Sequence, residues 1–265
     1  ISFLGWMIIG VPIAAVMILV LWLSVTFVFK PESLSQEKIT QLYESVRSYG
    51  AFLAEEKKTL FIILGVPILW ILGTWLPLLN MTVVSVLAMG LMLAPGFNLL
   101  TFDEYQKGTP WNVVIMVGAM ISMGSLLGST GGSQFIGGVV LSMGFADMNI
   151  VVALLVLGIV LYLLHTVMPI GPGFVPVFFL PLVTICTAAG LNPISAAVMM
   201  SAIIGGNYLL PINPTIAITY SEDTYELKDM FKAGIVPVFV LCAVMALWIP
   251  FITGILTNIG MLYAV

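Results

Sequence analysis

Two Pro/Gly clusters interrupt otherwise apolar sequence: Met168-Pro-Ile-Gly-Pro-Gly173 and Leu210-Pro-Ile-Asn-Pro-Thr215. The first separates apolar runs at 150–167 and 174–189, and the second follows a run at 194–207. Each falls about half-way along a stretch suited to a bilayer. Backbone that leaves the helix at that depth has N–H and C=O groups that protein or a watery cavity must satisfy. Paired breaks of this kind mark a transport site, with half-helix N-termini facing anions and freed carbonyls facing cations. The groups offered for that chemistry are the backbone of Gly171, Pro172 and Gly173, together with Asn213, Pro214 and Thr215.

The polar residues around the breaks have two readings each. Asn213 and Thr215 either contact substrate and ion or cap the broken helix, because both types bond nearby backbone readily. Asn207, behind Gly205-Gly206, either faces the same cavity as an ion ligand or makes a helix–helix hydrogen bond. Thr166 is a candidate ion ligand, while the lone His165 reads as packed or capping rather than as a proton carrier. Ser129, Thr130 and Ser133 read as packing residues, since small side chains let helices approach closely in lipid. The scattered methionines read as core filler.

Composition sets the class. The 265 residues are 61% hydrophobic and 8% charged, with a mean hydropathy of +1.18, which a soluble core does not need. The chain therefore reads as an all-α integral membrane protein. Asp and Glu are absent from the expected spans, which disfavours a carboxylate proton relay. Cys186 and Cys242 lie in apolar runs and read as small core residues, and a single His rules out a His-rich metal site. Nothing supports an enzyme.

Residues 1–29 form a first transmembrane helix, with Trp6 and Trp22 towards its ends. Residues 30–58, a polar segment, carry Ser33-Leu-Ser-Gln36 in capping-box form, then Ile39, Leu42, Tyr43 and Val46 at helical spacing. This is an amphipathic helix, on the membrane surface or against the protein. Residues 59–149 are scaffold or transport helices: spans at 59–79 and 82–97, a polar loop at 101–108, and a small-residue span at 111–141 that is expected to break at 129–133. Residues 150–220 hold the hairpin and the broken helix, and 221–265 a polar loop and last transmembrane helix. Every Lys and Arg lies at 30–58, 107, 228 or 232, so these loops are placed in the cytoplasm of an inner or plasma membrane. The alternation closes only if 150–189 starts and ends on the outer side, as a re-entrant hairpin or as two full spans.

The order of elements resembles the C-terminal half of the divalent anion/sodium symporter family of the ion-transporter superfamily. The resemblance is carried by Trp6-Met-Ile-Ile-Gly-Val-Pro12, Trp70, Phe102–Glu104, Pro110-Trp111-Asn-Val-Val-Ile-Met-Val-Gly118, Ser129-Thr-Gly131, Leu210-Pro-Ile-Asn-Pro214 and Leu227-Lys-Asp-Met-Phe-Lys-Ala-Gly234. It implies one inverted-repeat half of an elevator-type, homodimeric transporter, with a re-entrant helical hairpin and a broken transmembrane helix. It also implies a small anion as substrate, such as a di- or tricarboxylate or sulfate, and sodium as coupling ion. Counting back from Pro181 puts the family's Ser-Asn-Thr hairpin tip at Gly171-Pro172-Gly173, which has no polar side chain, so recognition there would rest on backbone. The family's Thr-Pro-Pro-Asn reads here as Asn213-Pro214-Thr215, one residue shorter. The chain opens on Ile1 in apolar sequence, and an N-terminal half is expected as its partner. The alternatives are a non-transporting scaffold or accessory half, and a cation/proton antiporter of the same superfamily.

Overall fold

The computed structural model describes residues 2–29, 35–97, 99–145, 148–168, 171–211, 216, 220 and 225–258; the side chains at 112, 113, 120, 145 and 171–173 are left aside. Every regular element among them is helical. The chain divides into two compact units: Gly5–Val28 with the chain from Trp111 onward, and Phe29–Pro110.

In the second unit, α2 (Gln36–Ser48) is capped by Ser35, whose hydroxyl accepts from the Lys38 amide, two residues beyond the expected Ser33 cap. Ser33 itself lies outside the described residues. Leu42, Tyr43 and Val46 are exposed along one face of α2. Helix α3 (Ala54–Leu72) turns at Gly73, and Asn80 caps α4 (Met81–Leu93). The expected spans at 59–79 and 82–97 are thus shorter as helices. A Cβ on Gly73 would overlap the Leu79 carbonyl, so glycine is what lets the chain fold back there. Lys58 ties α3 to the chain beyond α4, its Nζ donating to the Phe97 carbonyl at 3.1 Å. Residues 102–108, expected as a loop, form α5 (Phe102–Gly108). Thr101 and Glu104 close a reciprocal capping box that satisfies two orphan amides. The Thr101 hydroxyl and then its amide, both donating to Glu104, hold that carboxyl below its usual range. A lowered folded value means that the box is intact at neutral pH and opens as pH falls through it.

The first unit holds α1 (Phe3–Val28), α6 (Trp111–Ser129), α7 (Gly132–Val140), α8 (Ile150–Val167), α9 (Gly171–Ala188), α10 (Ile194–Gly205) and α11 (Leu227–Asn258). By length and composition α1, α8 and α11 can each cross a membrane. Helices α6 and α7 meet at a 71° bend where Gly131 adopts φ +80, a left-handed conformation cheap only for glycine. The break expected at 129–133 falls there.

Packing follows the small residues. Helix α9 lies along both arms of the α6–α7 bend, and α8 along α11. Added Cβ atoms at Gly124, Gly128 and Gly137 would come within 2.9 Å of Pro176, Leu180 and Thr184, one seam of positions four apart on α9. Helix α10 touches α8, α9 and α11 and buries Met199, Met200 and Ile203. Gly190 (φ +75) ends α9: its amide reaches Thr187 O, and the Leu191 amide reaches Cys186 O. That is the Schellman pattern, which needs a left-handed residue at Gly190. Helices α1 and α11 are tied twice, by Trp248 Nε1 donating to Ile9 O at 3.0 Å and by Ser24 Oγ donating to Ala233 O at 2.5 Å.

The glycine seam is testable. Gly124→Leu should destabilise the protein by about 1–3 kcal/mol through overpacking. Gly138→Leu, where an added Cβ meets nothing within 4 Å, should leave the melting midpoint in detergent nearly unchanged.

Candidate functional site

Helix α8 ends at Val167, and the Met168 amide still reaches the Leu164 carbonyl at 2.9 Å. The helix resumes at Gly171, so Gly171–Gly173 form the first turn of α9 rather than the connection. First-turn amides have no intrahelical acceptor, and Pro172, which has no amide proton, suits that turn. The positive end of the α9 dipole therefore lies where the sequence placed anion recognition. Residues 169 and 170 lie outside the described set.

Two buried rings flank this break. His165 and Phe174 meet edge to face, with centroids 5.0 Å apart, at 2% and 0% exposure. His165 is thus packed on Phe174, and its Nε2 has no hydrogen-bond partner among the described residues. Thr166 donates its hydroxyl proton to the Tyr162 carbonyl at 3.0 Å, leaving only lone pairs for any ion.

The second break follows α10. Gly206 departs from helical geometry (φ -94, ψ 50), and Asn207 Nδ2 donates to the Ile204 carbonyl at 2.7 Å. Asn207 is buried, and its Oδ1 has no partner among the described residues. An unpaired carbonyl oxygen beside the negative end of a helix dipole is suited to a cation. Asn213, Pro214 and Thr215 lie outside the described residues.

What holds this break in place is a phenol. The Tyr208 amide donates to Tyr162 Oη at 2.9 Å, joining α8 to the chain beyond α10. The same amide also reaches the Gly206 carbonyl at 3.0 Å. On the other side the Tyr208 carbonyl rests directly on Gly234 of α11, where a Cβ would overlap it. Gly206 sits likewise under Leu241. Tyr162 was not singled out from sequence, yet a Tyr inside an apolar run is itself a signal, since a buried phenol needs a partner.

Beside the break lies a cleft of about 260 Å³, lined by Trp6, Ile9 and Ile13 of α1, by Val198 and Gly205 of α10, and by Tyr208. Its walls are apolar, so it can admit hydrocarbon but offers little to an anion. Ser133 is buried on α7 without a hydrogen-bond partner among the described residues, one turn before Gly137, which packs against Thr184 of α9. Among the described residues no three His, Cys, Asp or Glu side chains gather as a metal site.

The family model described as the sodium:sulfate symporter transmembrane region matches residues 1–257. The chain belongs to this family. It is a family of membrane transporters, not of enzymes, and with its long apolar helices the chain is an integral membrane protein. Among relatives, a "membrane protein" of Cupriavidus necator is 24% identical over an alignment of 258 positions that covers 94% of this chain and 49% of that one. The sodium-dependent dicarboxylate transporter SdcS of Staphylococcus saprophyticus is 25% identical over an alignment of 284 positions that covers 96% of this chain and 52% of its own. Human solute carrier family 13 member 4 is 29% identical over 138 residues, 52% of this chain and 22% of its own. The chain thus spans about half the length of the two bacterial relatives.

Tyr162→Phe isolates the phenol's role. It should cost about 1 kcal/mol, the ordinary worth of such a bond, and speed hydrogen exchange at the Tyr208 amide while amides within α8 stay protected. Unchanged exchange at Tyr208 would show that the γ-turn to Gly206 suffices.

Proposed function

We propose that the chain forms one inverted-repeat half of a secondary active transporter that moves a small anion, a di- or tricarboxylate or sulfate, together with sodium. The observation that carries this reading is a pair of helix ends in one unit: α9 starting at Gly171–Gly173 just beyond α8, and α10 ending at Gly205, next to Asn207, whose buried Oδ1 has no partner among the described residues. In this reading the first-turn amides of α9, with Asn213, Pro214 and Thr215, receive the anion. Asn207, Asn213, Thr166 and backbone at Gly171 receive the cation. Residues 150–189 act as a re-entrant hairpin opening outward, and 194–220 as the broken helix beside it. The relative named for sodium and dicarboxylate supports the substrate class, as does the family description naming sodium and sulfate.

Residues 59–149 then supply scaffold and transport helices, and the segment 30–58 with loops 101–108 and 221–232 faces the cytoplasm of the inner or plasma membrane. The whole transporter would pair this half with an N-terminal half, work as a homodimer, and carry its substrate by an elevator movement. An anion can be held without a Lys or Arg in the membrane because helix termini supply the positive potential.

Uptake by proteoliposomes of the full-length protein tests this. Transport should require an inward sodium gradient, and sodium-independent uptake would remove the coupling. Asn213→Ala/Thr215→Ala should lower uptake by about 10- to 100-fold, the cost of hydrogen bonds to a charged group. Unchanged uptake would remove the site. Asn207→Ala should raise the sodium concentration for half-maximal uptake about tenfold, with little change in the substrate requirement at saturating sodium.

A further inference from the structure

Helix α2 carries an apolar face that no described part of the chain covers. None of its residues is buried, and Leu42, Tyr43, Val46 and, at the C-cap, Tyr49 are exposed. The connection that follows adds exposed Phe52 and Leu53. At about 100° per residue, Ile39, Leu42, Tyr43, Val46 and Tyr49 form one arc about 120° wide, the stripe that an amphipathic helix buries against something.

The charges are ordered around that arc. On the same wheel Glu37 and Glu44 lie about 160–180° from its centre, while Lys38 and Arg47 lie about 80–100° from it, one at each margin. Neither base makes an ion pair among the described residues. The hydroxyls of Thr40, Ser45 and Ser48 are spent on carbonyls of α2 itself, so the polar face offers few directed bonds to a protein. An apolar centre, basic margins and an acidic far side match a surface of hydrocarbon rimmed by phosphate, with water beyond. Glu37 and Glu44 balance Lys38 and Arg47 in charge. The phosphate of a zwitterionic lipid is therefore enough, and an excess of anionic lipid is not required.

The chain puts such a surface within reach. Helix α2 ends at Ser48 and α3 begins at Ala54, a gap that extended chain covers in about 20 Å. Helix α3 opens with Glu55, Glu56, Lys57 and Lys58, then turns apolar, with Leu60, Phe61, Ile63, Leu64 and Ile68 exposed. In an integral membrane protein lipid covers a surface of that kind, and the charged opening of α3 marks the headgroup level.

We propose that α2 lies parallel to the bilayer surface and docks on phospholipid. Its apolar arc sinks into the boundary between headgroups and acyl chains. Lys38 and Arg47 hold lipid phosphates on either side, and Glu37 and Glu44 face water. The placement rests on the chain being a membrane protein, and not on which solute it carries.

The full-length protein, reconstituted in phosphatidylcholine vesicles, tests this. Single cysteines are introduced as Leu42→Cys, Val46→Cys, Glu37→Cys or Glu44→Cys, in a background without other accessible cysteines, and carry a small fluorophore. Cys186 and Cys242 are buried and stay unlabelled. A phosphatidylcholine with a nitroxide near the headgroup end of its acyl chain should quench positions 42 and 46 about threefold more than 37 and 44, since an interfacial helix sinks its apolar face about 5–10 Å. Iodide in the water should show the reverse order. Lys38→Glu/Arg47→Glu should lower lipid quenching at position 46 by about half, while Glu37→Lys/Glu44→Lys should leave it in place. Equal lipid quenching at all four positions, or at none, overturns the proposal. Protection of positions 42 and 46 from both quenchers also overturns it, because a second copy or another protein segment then covers the face. Unchanged quenching in Lys38→Glu/Arg47→Glu overturns the phosphate contacts.

Discussion

Hydrocarbon offers no hydrogen bonds, and that constraint governs this structure. A helix can stop inside a membrane only where something else takes over its amides and carbonyls. At the end of α10 the substitute is Tyr162, whose phenol accepts the Tyr208 amide. The substitute is rigid because its own helix packs along α11. Gly234 and Gly206 complete the arrangement by giving the irregular backbone room against α11. The polar break is therefore held by an apolar frame, and Asn207 Oδ1 has no partner there among the described residues.

The α6–α7 bend shows the same logic with different chemistry. There the turn is made by Gly131, and the seam with α9 is built from glycines facing Pro176, Leu180 and Thr184. Between two spans in lipid, burial of apolar area supplies little attraction, because the tails are as apolar as the side chains. Close approach and dispersion take its place, and each extra methylene at the seam is felt.

Elements with strong local signals were legible in the sequence. The apolar run at 150–167 matches α8, and the small-residue stretch after Gly128 contains the bend. At 101–108 polarity suggests a loop, but the capping-box spacing of Thr101 and Glu104 is the stronger local signal, and the structure has helix α5 there. Helix α3 stops at Gly73 because the Leu79 carbonyl folds back onto it, a contact that periodicity does not register. At the site, the Gly-Pro-Gly of 171–173 reads from sequence as the connection, and the structure makes it the first turn of α9, because Pro without an amide proton suits a helix start. The link from Tyr162 to Tyr208 was not legible, since it joins residues 46 apart through tertiary packing. Asn213 and Thr215 were legible as candidates only from their neighbours Pro211 and Pro214, and they lie outside the described residues.

The two hydrogen bonds between α1 and α11 bear on how the protein is made. They join residues separated by 209 and 239 positions. At ordinary rates of chain elongation the earlier partner waits roughly 10 to 40 s for the first of them. Throughout that interval α1, apolar enough to cross a membrane, lacks these two bonds to α11. The Trp248 contact to Ile9 must then form after α11 has been released to the membrane. Packing of this unit is thus completed late, when α11 locks onto the much earlier α1.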